Sequence, residues 1–244
     1  MAKIISEAEF MDGIVNAERE EERMKEIRRN NEAELLDKIS RIEMSFLKGG
    51  ATAVQLKDFC ISAIKLRPYG ICVTSPYLKF CKAYFQKRRI PICCKITENT
   101  SKEVKYYECK RALRTGAQEL EYTPDQFAVA NGNYKEIKRE IRRVLRLARG
   151  RTVKINIKSD HVSRDKSYRT AQVAVAAGVK VLCLDAEEDF IREMRSAMGG
   201  RCFIQANGAQ TCDDFIKMVN LNCARVSTSE GESVILQLIK NAEV

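Results

Sequence analysis

Two periodicities take turns along this chain. Stretches with apolar residues three and four apart give way to short apolar runs in which every second residue is polar or small, the signatures of helix and strand. From residue 42 onward the rhythm is regular. It predicts strands at 42–47, 70–74, 90–96, 118–123, 152–158, 179–185, 202–207 and 223–228, with helices at 53–66, 77–87, 101–115, 133–149, 164–177, 188–197, 211–219 and 232–241. Strands alternating with helices of about 10–15 residues make parallel βαβ units. Eight such units in about 200 residues imply a closed (β/α)8 TIM barrel, with its working face where the strands end. Upstream, residues 14–40 read as one charged helix with Met24, Ile27, Leu35, Leu36 and Ile39 at its apolar positions, in a heptad too broken for a coiled coil. The expected organisation is an N-terminal helical extension, 1–41, and a barrel, 42–244.

Side chains alternate across a strand, so the apolar set marks the side that meets the helices. Val153, Ile155 and Ile157 take that side, which turns Lys154, Asn156 and Lys158 into the barrel. The same alternation points Cys93, Lys95 and Thr97 inward, with Glu119 and Glu121, Val181, Cys183 and Asp185, and Phe203, Gln205 and Asn207. Such an interior is more polar than packing requires, and buried charges are rare unless paired. Lys95 and Lys158 are expected to pair with Glu121 and Glu43.

Composition narrows the function classes. Of 244 residues 45% are apolar, enough for a real core and against disorder. Only 12 Gly and 4 Pro are present, which excludes collagen-like and linker-dominated chains. The net charge of +10 favours acidic partners. Much of it lies between Lys135 and Arg151, where eight residues are basic and two acidic. There Ile137, Ile141, Val144, Leu145 and Ala148 form a docking face, leaving Arg139, Arg142, Arg143, Arg146 and Arg149 outside. A solvated face and a contact with phosphate or acidic protein both remain open. No nucleic-acid-binding motif is present, so nucleic acid is not an expected partner. The ten cysteines lack metal-ligand spacing and read as buried thiols in a reducing, cytoplasmic compartment. Neither a membrane span nor a signal peptide is expected. No cofactor or metal is expected either. The single histidine, His161, follows the fifth strand at the working end, a place for a ligand contact, but with Asp160 it is too little for a metal site.

Several segments, in order, carry a family likeness: EMSFLKGGATAVQLKDFC (43–60), ICVTSPYLKFCKAYF (71–85), TSKEVKYYECKRALRTGAQELE (100–121), NGNY (131–134), AGVKVLCLD (177–185), QANGAQT (205–211) and ARVSTSEGE (224–232). Between about Ile42 and Ile239 the chain resembles deoxyribose-phosphate aldolase, a class I aldolase that works through a Schiff base on a (β/α)8 barrel. The resemblance also exposes departures. The family's Schiff-base lysine, in a Val-Lys-Thr-Ser motif on strand 6, aligns with Cys183, and its helper lysine on strand 7 with Gln205. The acids of strands 4 and 1 align with Glu121 and Glu43, and the strand 5 glutamate with Lys158. A Gly-Phe-Pro loop is shortened to Thr97-Glu98-Asn99. The phosphate loops become Gly208-Ala209 and Ser229-Glu230-Gly231, where Glu230 opposes an anion.

Cysteine cannot form an imine, so three readings of the site follow. In the leading one the barrel is a pseudoenzyme or binds a small ligand or partner, with its lysines in structural ion pairs. In the second, a relocated amine, Lys158 or Lys95, forms the Schiff base with Glu121 as acid and base, making a lyase for a small aldehyde or sugar phosphate. In the third, Cys183 is a thiol nucleophile activated by Lys158. Ligand contacts are expected from Gln205, Asn207, Gly208, Ser227, Ser229 and His161. The implied partners are a small phosphorylated or carbonyl ligand, and a second copy or another aldolase. An interaction scaffold using the basic helix is a further class.

Overall fold

Eight parallel strands pair in chain order, and the last returns to the first. They are β1 (Ile42–Phe46), β2 (Gly70–Thr74), β3 (Ile92–Lys95), β4 (Glu119–Tyr122), β5 (Thr152–Ile157), β6 (Val181–Asp185), β7 (Phe203–Asn207) and β8 (Arg225–Thr228). The computed structural model describes residues 32–85, 88, 90–159 and 162–242, with Asn16 and Arg19. Every strand and helix predicted beyond residue 42 is present, with ends shifted by a few residues. Helix starts are encoded locally: Thr52, Ser101, Asn133 and Thr211 each accept the backbone N–H three residues on. One helix was not anticipated, Gln126–Ala130. Asp125 seeds it by accepting from the N–H groups of Phe127 and Ala128, and five residues are too few to show a period.

Of the helix expected at 14–40, the stretch Glu32–Ser40 buries Leu35 and Ile39 in the core, while Leu36 stays exposed. Asn16 and Arg19 are helical, and the rest lies outside the described residues. The apolar core fills the shell between strands and outer helices, with Ile71, Leu120, Ile155, Leu182 and Phe190 essentially inaccessible. All ten cysteines are free. Among the described residues no helix is long and apolar enough to cross a membrane.

Inside the barrel, layers draw on alternate strands. Glu43, Cys93, Lys154 and Gln205 come from β1, β3, β5 and β7, and Cys72, Glu121 and Cys183 from β2, β4 and β6. The final helix, Gly231–Ala242, closes against β1 through its first residue. A Cβ on Gly231 would stand 2.5 Å from Met44 Cγ and 3.4 Å from Met44 Cα. Gly231→Ala is therefore expected to destabilise the fold by about 1–3 kcal/mol through overpacking. Urea unfolding should show a lower midpoint with an unchanged slope; an unmoved midpoint would mean that Met44 yields freely.

Candidate functional site

The strand alternation builds a charged cage where a barrel usually holds branched apolar side chains. At its centre Lys154 is fully buried. Its Nζ donates to Glu43 Oε1 and Oε2 at 2.8 and 2.6 Å, and to Gln205 Oε1 at 3.2 Å. Glu121 and Glu119 flank the same ammonium at 3.7 and 3.9 Å. Gln205 Nε2 donates to Glu43 Oε1 and Asn207 Oδ1, each at 3.0 Å, and Asn207 Nδ2 to Glu121 Oε1 at 3.2 Å. At the N-terminal end of the strands, Glu119 accepts from Arg225 Nη1 at 2.8 Å and from Tyr69 OH at 2.7 Å. The Arg225 guanidinium lies over the Tyr69 ring, 3.8 Å from its centre. Burial, and then Glu119, push the Tyr69 phenol up to about 12. Burial opposes the charge on Lys154, but the carboxylates of Glu43 and Glu121 beside it prevail and hold its pKa well above the ordinary lysine value.

Nearer the mouth, Lys95 Nζ lies 3.1 Å from Glu98 Oε1 and 3.4 Å from Glu121 Oε1. Burial again opposes its charge; Glu121 and then Glu98 outweigh it, and its pKa is raised. Lys158 Nζ lies 3.7 Å from Glu98 Oε2. Asn156 is buried, reaches Glu98 and Thr123 only at 3.4 Å, and leaves its Oδ1 without a partner. Cys183 is buried, its Sγ 3.8 Å from Glu121 Oε2. Burial and then Glu121 hold its thiol well above the usual range, so it is no thiolate nucleophile at neutral pH. Four cations, Lys95, Lys154, Lys158 and Arg225, thus face four carboxylates, Glu43, Glu98, Glu119 and Glu121.

A cavity of about 580 Å³ opens over the C-terminal ends of the strands. Asn207, Gly208, Ser227 and Ser229 line it, and Lys95 and Glu121 reach it from the cage. Its other charges are Lys48, Asp185 and Glu230. In the loop after β8, the Ser229 hydroxyl donates to Glu230 Oε1 at 3.2 Å and Glu230 N to Thr228 Oγ1 at 2.9 Å, so these donors serve the loop itself.

Three placements differ from expectation. Glu43 takes Lys154 rather than Lys158, because Lys154 sits two inward steps deeper on β5 and shares a layer with Glu43, while Lys158 follows the end of the strand. Gln205 lies beneath the cavity with both amide atoms engaged, so it does not face the mouth. Lys158 is not among the residues lining the cavity. His161, with Asp160, falls outside the described residues. The sequence reading placed Lys154 and Glu119 inside but did not name them as site residues, and it missed Glu98 and Arg225. Two groups of thiol and carboxylate atoms come within 4.8 Å of one another, Cys72, Cys93 and Glu121, and Glu43, Cys93 and Glu119. The Lys154 ammonium bonds to Glu43 and flanks both other glutamates, so these ligands already enclose a cation.

No established protein-family profile matches the chain. Its relatives in sequence are deoxyribose-phosphate aldolases. The one from Caldicellulosiruptor saccharolyticus is 26% identical over 208 residues, spanning 80% of this chain and 94% of the relative. The one from Thermococcus gammatolerans is 26% identical over 225 residues, spanning 85% and 99%. Among solved structures, the aldolase QR15 has a TM-score of 0.79 at 20% identity, covering 84% of this chain and 97% of its own. The deoxyribose phosphate aldolase of Aeropyrum pernix, described as a unique tetrameric structure, has a TM-score of 0.72 at 16% identity, covering 86% and 92%.

Proposed function

We propose that this homologue of the deoxyribose-phosphate aldolases is a divergent barrel in which a structural charge network has replaced the Schiff-base machinery, leaving a small-ligand site at its mouth. One observation carries the reading: the two amines set closest to the carboxylates are Lys154, 2.6 Å from Glu43 Oε2, and Lys95, 3.1 Å from Glu98 Oε1, contacts that favour the ammonium form. An amine attacks a carbonyl only in its uncharged form. Cys183, at the position that aligns with the family's Schiff-base lysine, carries a protonated thiol against Glu121. The mouth favours a neutral, polyhydroxylated or carbonyl ligand over a phosphate, since Glu121, Asp185 and Glu230 outnumber Lys48 and Lys95 there. Free cysteines fit a reducing compartment such as the cytoplasm. The tetrameric Aeropyrum pernix relative supports a homo-oligomer.

A relocated lysine is the second reading, and Lys158 carries it. Its carboxylate stands off at 3.7 Å, against 3.1 Å for Lys95. Borohydride reduction in the presence of a small aldehyde, followed by peptide mass mapping, separates the two. No stoichiometric adduct is expected at any barrel lysine. An adduct at Lys158 would establish the lyase reading, and one at Lys95 or Lys154 would overturn the account of the cage.

A further inference from the structure

The helices Lys102–Thr115 and Tyr134–Ala148 pack side by side. Their C-terminal ends border a groove of about 890 Å³. Both helices end where β4 and β5 begin, so the groove lies at the opposite end of the barrel from the mouth. Among the described residues six basic side chains line it, Lys110, Arg114, Arg143, Arg146, Arg149 and Arg151, and no acidic one does. Two are tied in place. Arg143 lies over the Tyr106 ring, 4.4 Å from its centre, and Arg151 Nη1 donates to the carbonyls of Leu113 and Ala117 at 2.8 and 3.2 Å. The other four, Lys110, Arg114, Arg146 and Arg149, are exposed and make no hydrogen bond or ion pair with the described residues. The acids of the second helix are engaged elsewhere, Glu136 with Lys102 and Glu140 with Tyr122.

A cation in the last turn of a helix complements its dipole, which accounts for one or two of these residues per helix. Six in one groove repel one another until an anion enters. The pattern also specifies the shape of that anion. Arg143 and Arg146 lie one turn apart on the second helix and Arg149 caps its end, a row about 9 Å long at 1.5 Å per residue, and Lys110 and Arg114 stand beside it on the first helix. A line of charge matches a chain of phosphates better than a compact ion. None of the described residues that line the groove is aromatic, so its walls offer no platform for a base. We propose that this groove binds the phosphodiester backbone of single-stranded nucleic acid without reading its bases. The sequence predicts both helices but not that their ends pack together, which brings Lys110 and Arg114 to the same groove.

Anisotropy of labelled 20-nucleotide RNA and DNA strands of mixed sequence tests this. Each phosphate neutralised on a single strand contributes about −0.7 to the slope of log affinity against log salt. Four free cations give about −2.8, or roughly a 50-fold weakening from 50 to 200 mM salt. R146Q/R149Q should halve that slope to about −1.4. K217Q/K240Q, which removes the same charge from helices across the barrel, should leave it unchanged. RNA and DNA binding alike would support backbone recognition. The proposal would be overturned by absence of binding at 50 mM salt, by equal losses in both variants, by a strong preference for one sugar, or by inorganic triphosphate displacing the strand at equal phosphate concentration.

Discussion

Lys154→Met is expected to destabilise the protein by about 3–5 kcal/mol, the usual consequence of removing one partner of a buried ion pair. Lys154 is fully inaccessible and Glu43 is 1% exposed, so water cannot replace the lost ammonium. Both Glu43 oxygens would lose their shortest donor, leaving only Gln205 Nε2. Glu119 and Glu121 would lose the cation that screens them from Glu43. The loss should be strongly non-additive. In Glu43→Leu/Lys154→Met both charges go together, and the cost should fall below that of the single change, because replacing a buried pair by apolar groups is often neutral. Urea unfolding of the three variants forms the cycle. A double variant as unstable as the single would mean that the pair itself holds the barrel together. The pH dependence has a definite sign. The folded pKa of Lys154 is raised, so its stabilisation is complete below the unfolded lysine value of about 10.4 and is lost as pH climbs through the folded value. The wild type should therefore lose this increment only on the alkaline side, and Lys154→Met should lack it.

The barrel was legible because its two periodicities are long-lived and its helix starts carry their own caps, Thr52, Ser101, Asn133 and Thr211. Strand alternation also settled which residues turn inward, Lys154 and Glu119 included. What alternation cannot supply is height. Strands of a barrel are staggered, so residues that share a layer have no fixed offset in the sequence. Glu43 and Lys154 are 111 positions apart and Glu119 and Arg225 are 106 apart. Alternation offered Lys158 as the partner of Glu43, and only closure of the sheet brings Lys154 there instead. Glu98 escaped for another reason. It sits on a loop after β3, where no period says which way a side chain turns, yet it joins Lys95 and Lys158. The basic groove shows the same limit on the outer surface. One helix displayed its arginines openly, but the adjoining Lys110 and Arg114 belong to a helix whose overall composition is mixed.

Glu98→Gln/Glu121→Gln is expected to convert Lys95 from a bystander into a reactive amine. Two opposed effects set its state. Burial favours the neutral form, and the carboxylates of Glu121 and Glu98 favour the ammonium and prevail. Glutamine keeps the shape of each glutamate and can still meet Asn207 and Thr123, so the substitutions remove charge with little change in packing. Burial is then the largest remaining influence, and it lowers the pKa of Lys95 to the extent that its side chain, 22% exposed, is out of water. In the wild type, with a pKa above about 10.4, fewer than roughly one Lys95 amine in 2,000 is neutral at pH 7. Aldehyde and borohydride should then label Lys95 where the wild type stays unlabelled, and the labelling midpoint should move to lower pH. Glu98 also serves Lys158, so the position of the adduct matters: Lys95→Met in the same background should abolish it if Lys95 is the target. A folded double variant that labels only at Lys158 would show that Lys158, not Lys95, is the latent nucleophile. An unlabelled one would mean that the barrel restrains Lys95 by something other than its two carboxylates. Labelling at Lys95 would mean that two carboxylates are what separate this barrel from an amine-bearing one.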